Sequence, residues 1–213
     1  MSRLRITEIF FSLQGETRTV GLPTVFIRLT GCPLRCTYCD TAYAFQGGTW
    51  FDLDDILKEV AKYRAQYVTV TGGEPLAQKA CLELLTRLCD VGYEVSLETS
   101  GALSVAEVDQ RVVKVVDIKT PGSNEVEKNH YQNMEYVLPH DQIKFVICNR
   151  HDYDWAKQIM EQYQLTNRCQ VLFSPSYEEQ SAGQLADWIL EDQLSVRLQI
   201  QLHKFLWGDA KGR

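Results

Sequence analysis

Short apolar runs rich in β-branched residues alternate with amphipathic stretches along the chain, and this alternation constrains the fold more than any other feature. The runs that predict strands cover residues 25–29, 67–71, 94–98, 112–118, 143–147, 170–173 and 197–202. Strands that alternate with helical patterns are typical of βαβ units with a parallel sheet. The sequence therefore predicts an α/β fold, in which ligands bind at the carboxyl ends of the strands.

Four amphipathic helices are predicted between these strands. Their apolar stripes are Leu53, Ile56, Leu57, Val60 and Ala61; Leu82, Leu85 and Leu88; Trp155, Ile159 and Met160; and Leu185, Trp188 and Ile189. Asp52 is a candidate N-cap for the first helix, because its carboxylate can accept hydrogen bonds from free backbone N–H groups. Some connections are too short for a complete helix. No linker or internal repeat divides the chain, so residues 1–213 are predicted to form one domain.

The composition favours a cytosolic enzyme. The 213 residues are enough for a sizeable core, and the net charge of -6 gives no general attraction to nucleic acid or to an anionic membrane. No signal peptide is recognisable, and no apolar run is long enough to span a bilayer. An odd count of seven cysteines argues against a secreted disulfide scaffold. We therefore expect a cytoplasmic protein without nucleic-acid or membrane partners.

Three cysteines, Cys32, Cys36 and Cys39, lie within eight residues at the spacing C-x3-C-x2-C. A closed tetrahedral zinc site needs four protein ligands. A four-iron cluster held by three cysteines leaves one iron open, as chelation of S-adenosylmethionine (SAM) requires. The spacing alone leaves zinc or unrelated thiols as alternatives. The other cysteines lie in apolar helical or strand patterns and are predicted to be structural: Cys81, Cys89, Cys148 and Cys169.

A second motif, Thr71-Gly72-Gly73-Glu74-Pro75, follows the predicted strand at residues 67–71. Paired glycines let the backbone approach a ligand closely, although they also form ordinary turns. Glu74 can accept hydrogen bonds from an ammonium group. The two motifs in this order resemble those of radical SAM enzymes. The resemblance implies a partial (β/α) barrel with reduced helical content, a [4Fe-4S] cluster on the three cysteines, and SAM bound at the Gly-Gly-Glu-Pro segment.

The N-terminal third resembles one family more closely, the 7-carboxy-7-deazaguanine synthases. The matching segments are residues 8–16 (EIFFSLQGE), 26–32 (FIRLTGC) and Asp40-Thr41, with shorter matches at residues 98–101, 174–175 and 201–204. Thr17 departs from the family, which often has glycine after Gln-Gly-Glu. The resemblance implies a Mg²⁺-dependent radical ring contraction of 6-carboxy-5,6,7,8-tetrahydropterin to 7-carboxy-7-deazaguanine with loss of ammonia. This reaction belongs to queuosine biosynthesis, and hence to tRNA modification.

Motif positions that match the family imply roles for individual residues. The residues expected to bind SAM are Gly73, Glu74, Ser100, Asp117, Lys119, Ser174, Pro175 and Ser176. Thr41 matches the family's Mg²⁺-contacting position, although a threonine hydroxyl is by itself a poor ligand. Asp40 is the alternative ligand, and its plainer interpretation is a cap.

The pterin is expected to contact residues from both ends of the chain. Arg28 offers a planar fork that suits a carboxylate, and its place inside an apolar strand favours a side chain that faces a cavity rather than a surface ion pair. The other residues expected to bind the substrate are Leu13, Gln14, Gly15, Thr71 and Arg213. Glu16, Glu98 and His203 are expected to bond the ring and to act in catalysis.

Polar residues recur where the predicted strands end, which predicts one shared cavity. Lys144 lies early in its strand and is therefore a weaker candidate for this cavity. Gln199, Gln201 and His203 alternate along the last predicted strand, with His203 at its end.

The resemblance also implies a homodimer and an electron donor such as flavodoxin or ferredoxin. Two alternatives remain open. Another radical SAM enzyme, such as a glycyl-radical activase, would share the cluster and the Gly-Gly-Glu-Pro segment but would need an exposed groove for a protein partner. A non-catalytic zinc or iron–sulfur module would never cleave SAM.

Overall fold

A computed structural model describes residues 2–210 and 212, and its centre is one nine-stranded sheet. The strands are β1 (Arg3–Leu13), β2 (Pro23–Leu29), β3 (Thr49–Asp52), β4 (Tyr67–Gly72), β5 (Glu94–Thr99), β6 (Val113–Asp117), β7 (Gln142–Ile147), β8 (Gln170–Pro175) and β9 (Arg197–Leu198). Their order is β3-β1-β2-β4-β5-β6-β7-β8-β9. From β2 to β9 all neighbours are parallel, whereas β1 runs antiparallel to β2 and β3. The sheet is open, which confirms the predicted partial barrel.

In the described part of the chain, five α-helices accompany the sheet: α1 (Leu53–Val60), α2 (Ala80–Asp90), α3 (Arg150–Gln162), α4 (Ala182–Glu191) and α5 (Leu202–Trp207). The first four coincide with the four predicted apolar stripes. Asp52 precedes α1 as expected but makes no side-chain capping bond. Asn149 and Ser181 do cap α3 and α4, because their side chains accept from the backbone N–H groups of Asp152 and Gln184. No helix among the described residues is long and apolar enough to cross a membrane.

The inner strands have two chemically different faces, because successive side chains of a strand point to opposite sides of the sheet. On one side, Val68 and Val70 of β4 are fully buried and join the apolar core against the helices. Matching core residues come from the other strands: Val25, Ile27, Leu29, Val95, Leu97, Val116, Ile143, Phe145, Ile147, Val171 and Phe173. On the other side, the alternate positions of β2 and β4 carry Arg28 and Thr71, which line a cavity. One face therefore builds the core and the other builds a site.

Several connections between strands contain no α-helix in the described chain. The segments that join β5 to β6 and β6 to β7 contain only turns and short 3-10 helices, such as Pro121–Ser123 and Tyr131–Tyr136. These segments are stabilised by side chains instead. Asn133, for example, is fully buried and donates to the carbonyl of Leu103 at 2.9 Å. The reduced helical content expected from the short connections is confirmed.

The structure corrects the sequence prediction at the two ends of the chain. The predicted strand at residues 197–202 ends at Leu198, and the chain then turns, so that the N–H of Leu202 donates to the carbonyl of Gly15 at 2.9 Å and α5 begins. His203 therefore lies on a helix and not at a strand end. The antiparallel strands β1 and β3 were not among the predicted strands.

Candidate active site

A cavity of about 550 Å³ lies at the carboxyl ends of the parallel strands. Its lining includes these predicted site residues: Leu13, Gln14, Gly15, Glu16, Arg28, Cys32, Cys36, Cys39, Thr41, Thr71, Gly73, Glu98, Ser100, Asp117, Lys119, Ser174, Pro175, Ser176 and His203. The fold thus brings together residues that lie up to 190 positions apart in the chain, from Leu13 to His203. Of the remaining two predictions, Glu74 does not line the cavity, and Arg213 lies outside the described residues.

The cysteine loop is anchored so that its three half-buried thiols border the cavity. The hydroxyl of Thr37 donates to the carbonyl of Gly122 at 2.8 Å. Arg35 donates to the carbonyl of Cys32 at 2.8 Å, and its guanidinium lies 4.1 Å from the centre of the Phe45 ring. These bonds tie the loop to the segment after β6 and fix its outline.

The thiol arrangement fits a multi-iron cluster better than a single ion. Within the described part of the chain, no three His, Cys, Asp or Glu side chains are placed so that one metal ion could bind them. A structural zinc ion would need four such ligands around one point, whereas in an iron–sulfur cluster each thiolate binds a different iron. Burial raises the pKa of Cys36, and the nearby ammonium of Lys119 opposes this effect. A cation beside the loop favours the thiolate form that iron requires.

The Gly-Gly-Glu-Pro segment packs directly on the cysteine loop. A Cβ atom at Gly73 would lie 2.2 Å from the carbonyl oxygen of Gly31, so no side chain fits there. Gly72 has a φ of +150°, and the N–H of Glu74 donates to the carbonyl of Gly31 at 2.8 Å. Because Gly72 and Gly73 approach the cysteine loop so closely, they present only backbone atoms to the cavity.

The carboxylate of Glu74, which is predicted to bind SAM, is already bonded to groups of the protein. Its carboxylate is fully buried and already accepts from Thr99 Oγ1 at 2.9 Å, from the N–H of Ser100 at 2.7 Å and from the N–H of Leu76 at 2.9 Å. The side chain points between the loops that follow β4 and β5, away from the cavity. Glu74 therefore holds Ser100 beside Gly73, and those two residues do line the cavity.

Arg28 is oriented by a carboxylate and two rings. Its Nε donates to Glu8 Oε1 at 2.7 Å, and Tyr43 donates to the same oxygen at 2.7 Å. The guanidinium carbon lies 5.7 Å from the centre of the Phe10 ring and 5.8 Å from that of Tyr43. Because the ion pair uses Nε, the two terminal nitrogens of the fork are left for a bidentate carboxylate.

Glu98 lies at the centre of the polar wall. It accepts from Gln14 Nε2 at 3.2 Å and from Thr71 Oγ1 at 2.9 Å. Burial and the neighbouring carboxylate of Glu16 raise the pKa of Glu98, although the Lys144 ammonium opposes them. A carboxyl group with a raised pKa can hold and release a proton closer to neutral pH than an ordinary glutamate.

Lys144 is the main residue that the sequence prediction ranked too low. It is the third residue of β7, yet its backbone pairs with Asp117, the last residue of β6. How far a side chain lies toward the cavity depends on which residue of the neighbouring strand it pairs with, and not on its position within its own strand. Its ammonium binds Glu16, and although burial opposes the charge, Glu16 and Asp117 raise the pKa of Lys144.

A second ion pair lies near the cysteine loop. Lys119 Nζ is 2.8 Å from Asp117 Oδ2 and 5.8 Å from the centre of the Tyr38 ring. Burial would lower the pKa of Lys119, but Asp117 raises it well above its ordinary value. The hydroxyl of Tyr38 is buried with no hydrogen-bond partner among the described residues. A buried hydroxyl in the cysteine loop that lacks a hydrogen-bond partner fits a site that holds a polar cofactor.

Oxygen ligands suited to a hard cation lie directly after the cysteine loop. Thr41 Oγ1 donates to Asp40 Oδ1 at 2.7 Å, and Asp40 Oδ2 accepts from Gln201 Nε2 at 3.2 Å. Gln201 Nε2 also donates to Glu16 Oε1 at 3.0 Å. Burial would raise the pKa of Asp40, but the Thr41 hydroxyl and Lys144 together lower it. A hydroxyl beside an ionised carboxylate fits Mg²⁺, which takes few protein ligands and keeps several waters.

His203 reaches the cavity from α5 and packs on Gly15. A Cβ atom at Gly15 would lie 2.2 Å from His203 Nδ1. Burial lowers the pKa of His203, although Glu16 and Asp40 oppose this effect, so the imidazole is neutral near pH 7. Gly208 and Asp209, just past α5, also line the cavity. The C-terminal segment therefore closes one side of the site.

Sequence reasoning missed several residues of the cavity wall: Phe10, Phe26, Tyr38, Tyr43, Phe45, Tyr177, Glu179 and Lys204. One of them carried a usable signal. Phe26 alternates with Arg28 along β2, and residues two apart in a strand face the same side of the sheet. Phe10 lies on β1 and Lys204 on α5, two elements that were not predicted, and the others lie on loops or short 3-10 helices, for which the sequence carries no periodic signal.

The fold and the site define a radical SAM enzyme, in which three loop cysteines and a Gly-Gly-Glu-Pro backbone meet at the end of a parallel sheet. The Radical SAM superfamily model matches residues 26–164. A 7-carboxy-7-deazaguanine synthase from Koribacter versatilis is 44% identical over 98% of this chain and 100% of its own length, and one from Chlorobaculum tepidum is 42% identical over 98% and 97%. The chain belongs to the 7-carboxy-7-deazaguanine synthase family of the radical SAM superfamily.

A solved structure supports the fold independently of sequence. The crystal structure of QueE from Escherichia coli superimposes with a TM-score of 0.76 at 22% identity, covering 93% of this chain and 94% of that one. The cofactors of the family agree with the residues present: a [4Fe-4S] cluster, SAM and Mg²⁺.

Proposed function

We propose that this chain is a 7-carboxy-7-deazaguanine synthase, which converts 6-carboxy-5,6,7,8-tetrahydropterin into 7-carboxy-7-deazaguanine and ammonia in queuosine biosynthesis, and so in tRNA modification. The observation that carries the proposal is the shared cavity. Its lining combines the three thiols with an arginine fork held by Glu8 and with the carboxylates of Glu16 and Glu98. This combination suits a small substrate that carries both a carboxylate and a hydrogen-bonding ring.

The cofactor end of the cavity is formed by backbone and short polar side chains. Cys32, Cys36 and Cys39 would hold the cluster. The residues proposed to bind SAM are Gly73, Ser100, Asp117, Lys119, Ser174, Pro175 and Ser176, with Glu74 acting through Ser100 rather than by contact. When bound, the cluster and SAM supply abstraction of a hydrogen atom from the substrate carbon that bears the carboxylate.

The substrate end of the cavity is formed by residues from both termini. The Arg28 fork binds the carboxylate, while Gln14, Thr71 and the backbone of Leu13 and Gly15 contact the ring. Glu16 accepts from the amino and ring N–H groups of the pterin. Arg213 is proposed to contact the substrate from the C-terminus.

Proton transfer accompanies ring contraction, because ammonia leaves as a protonated amine. Glu98, whose pKa is raised, can hold a proton at a carboxyl oxygen and deliver it at a higher pH than an ordinary glutamate. His203, whose pKa is lowered, can accept a proton at an imidazole nitrogen. Thr41 would hold Mg²⁺ together with substrate oxygens and water, and Asp40 would bond the waters.

The proposal extends to partners and location. An electron donor such as flavodoxin or ferredoxin would reduce the cluster, and the chain would act as a homodimer in the cytoplasm. The apolar core runs continuously from β1 to α4, which supports a single domain over residues 1–213.

An anaerobic assay tests the function. The reconstituted and reduced protein is mixed with SAM, Mg²⁺ and 6-carboxytetrahydropterin, and the products are followed by mass spectrometry. We expect both 5′-deoxyadenosine and 7-carboxy-7-deazaguanine, and no product when Mg²⁺ is removed by chelation. Cys36→Ala should abolish cluster binding and activity, whereas Cys89→Ala, at a half-buried core position, should retain both.

The assay also separates the alternatives. Formation of 5′-deoxyadenosine without the deazaguanine would mean that the radical chemistry is correct and the substrate is wrong, as for an activase. If neither product forms with an intact cluster, the proposed enzyme function is wrong. Zinc in place of iron in the purified protein would favour a binding module.

A further inference from the structure

We propose that Lys144 is a positioning residue for the pterin, because its ammonium holds the Glu16 carboxylate as the acceptor for the donor edge of the ring. The inference rests on the proposed function, since it concerns the same substrate. Lys144 matches none of the motif positions that suggested the site, and its assignment comes from its contacts alone.

The register of the sheet places Lys144 beside the substrate end of the cavity. Its backbone pairs with Asp117, and its side chain lines the cavity with only 15% of its surface exposed. Its Nζ binds Glu16 Oε2. The other oxygen of Glu16 accepts from Gln201 Nε2 at 3.0 Å. Glu16 lies on a loop, so these two bonds decide where its carboxylate points.

The charges around Lys144 leave it as the counter-ion of several carboxylates. Asp117 pairs with Lys119, and Arg28 pairs with Glu8. Three further carboxylates interact with the Lys144 charge: Glu16 from the loop after β1, Glu98 from β5 and Asp40 from the segment after the cysteine loop. The groups that α5 presents on this side are His203 and Lys204. Removal of the Lys144 charge would leave Glu16 and Glu98 to repel each other.

The chemistry of the ligand explains why the charge matters. A pterin presents an amino group and a ring N–H side by side, and both are donors. An ionised carboxylate can accept from both, whereas a protonated one would point an O–H group at a donor. The Lys144 ammonium forms an ion pair with Glu16 and so stabilises the carboxylate in the orientation that accepts from both donors.

Binding measurements over a pH range test the proposal. The dissociation constant of 6-carboxypterin, a fluorescent analogue stable in air, is measured with the reconstituted protein from pH 5 to pH 8. For Lys144→Met we expect binding about 100-fold weaker near neutral pH, because one partner of a buried charge pair has been removed. The loss of affinity on acidification should begin at a higher pH than in the wild type, since the Lys144 ammonium opposes the raised pKa of Glu98, which is also proposed to contact the ring.

Two further variants separate charge from structure. Lys144→Arg keeps the charge and should recover binding to within about tenfold of the wild type. Its affinity should also begin to fall on acidification at the same pH as in the wild type. Lys114→Met is the matched control, because Lys114 is a buried lysine whose Nζ lies 2.8 Å from Asp141 and whose side chain does not line the cavity. It should lower the unfolding temperature while the affinity and its pH dependence stay unchanged.

A double variant shows whether Lys144 acts through Glu16. If it does, Lys144→Met adds no further loss of affinity in a Glu16→Gln background. Multiplicative losses in the double variant, or an arginine variant as weak as the methionine variant, would overturn the proposal. If the wild type itself binds no pterin, the proposed function fails. If the wild type binds and the variants behave otherwise than expected, only the role of Lys144 fails.

Discussion

At the scale of single residues, the site depends on positions where a side chain is absent. Gly15 has no positive φ, so its requirement is one of space: the ring of His203 occupies the volume of a Cβ atom. The same contact seats α5 against the loop after β1, where the N–H of Leu202 donates to the Gly15 carbonyl. A small change at Gly15 would therefore shift both the His203 imidazole and α5, and with them one side of the cavity.

Gly15→Ala should weaken catalysis with little loss of fold. The added methyl displaces the ring of His203 from its place in the cavity wall, and a small misplacement of such a group lowers the rate strongly, so we expect kcat/KM to fall about tenfold or more. Gly183→Ala is the matched control, because the nearest atom to its Cβ would be Ser181 Oγ at 3.8 Å. Steady-state kinetics of both variants make the test, and equal rates for Gly15→Ala and wild type would contradict the steric account.

Residues also show where local reasoning stops. The three cysteines and Arg28 could be assigned because their chemistry follows from short motifs. Lys144 and Glu74 could not, because depth in the cavity depends on pairing between strands and a buried carboxylate depends on donors 25 residues or more along the chain. For both residues, the structure adds where the side chain lies and what it contacts.

At the scale of elements, Glu74 joins the loops that follow β4 and β5. Its carboxylate accepts from two groups of Ser100 and from Thr99, and its own N–H reaches Gly31 of the cysteine loop. Three loops from three strand ends thereby bond to one buried residue. Such a network is strong only when every member is satisfied.

Glu74→Gln tests this role. The amide NH₂ group of glutamine would face buried N–H and O–H groups that are themselves donors, so at least one of them would lose its acceptor. An unsatisfied buried group costs about 1–3 kcal/mol, and in a domain of this size the midpoint of thermal unfolding should fall by about 3–10 °C. The affinity for SAM should fall as well, since Ser100 and Gly73 move apart. Glu83→Gln, on the exposed side of α2, should change neither.

The outcome separates two roles for Glu74. A weaker SAM affinity with an unchanged unfolding midpoint would mean that Glu74 contacts SAM directly, as the motif suggested. A lower midpoint with a weaker affinity supports the network.

At the scale of the whole molecule, one sheet divides the chain into a core side and a site side. One face of the sheet packs its apolar side chains on α1 to α4. The opposite face carries many of the polar side chains that line the cavity. The cavity therefore costs stability that the core must offset. A continuous core also means that no part of the sheet can unfold without exposing its neighbours.

We expect the purified protein to unfold in one cooperative transition. Far-ultraviolet circular dichroism and tryptophan fluorescence should give the same midpoint, because Trp50 lies near one edge of the sheet and Trp188 packs near the other. Two separate midpoints would show that residues 1–213 form more than one folding unit.

The sequence by itself determined the local features of this protein. These include the three thiolate ligands, the bare Gly-Gly backbone, the alternation of strands and helices and the short connections, because each is contained in a few neighbouring residues or in one period. The family followed from the same short motifs, which the comparisons confirmed.

Only the tertiary structure decided how these features meet. The register between β6 and β7 brought Lys144 level with Asp117, the turn after Leu198 carried His203 over Gly15, and the meeting of three loops buried Glu74. Each depends on contacts between residues distant in the chain. A pattern of neighbouring residues specifies which face a side chain occupies, but the packing of elements decides how deep it lies and what it touches.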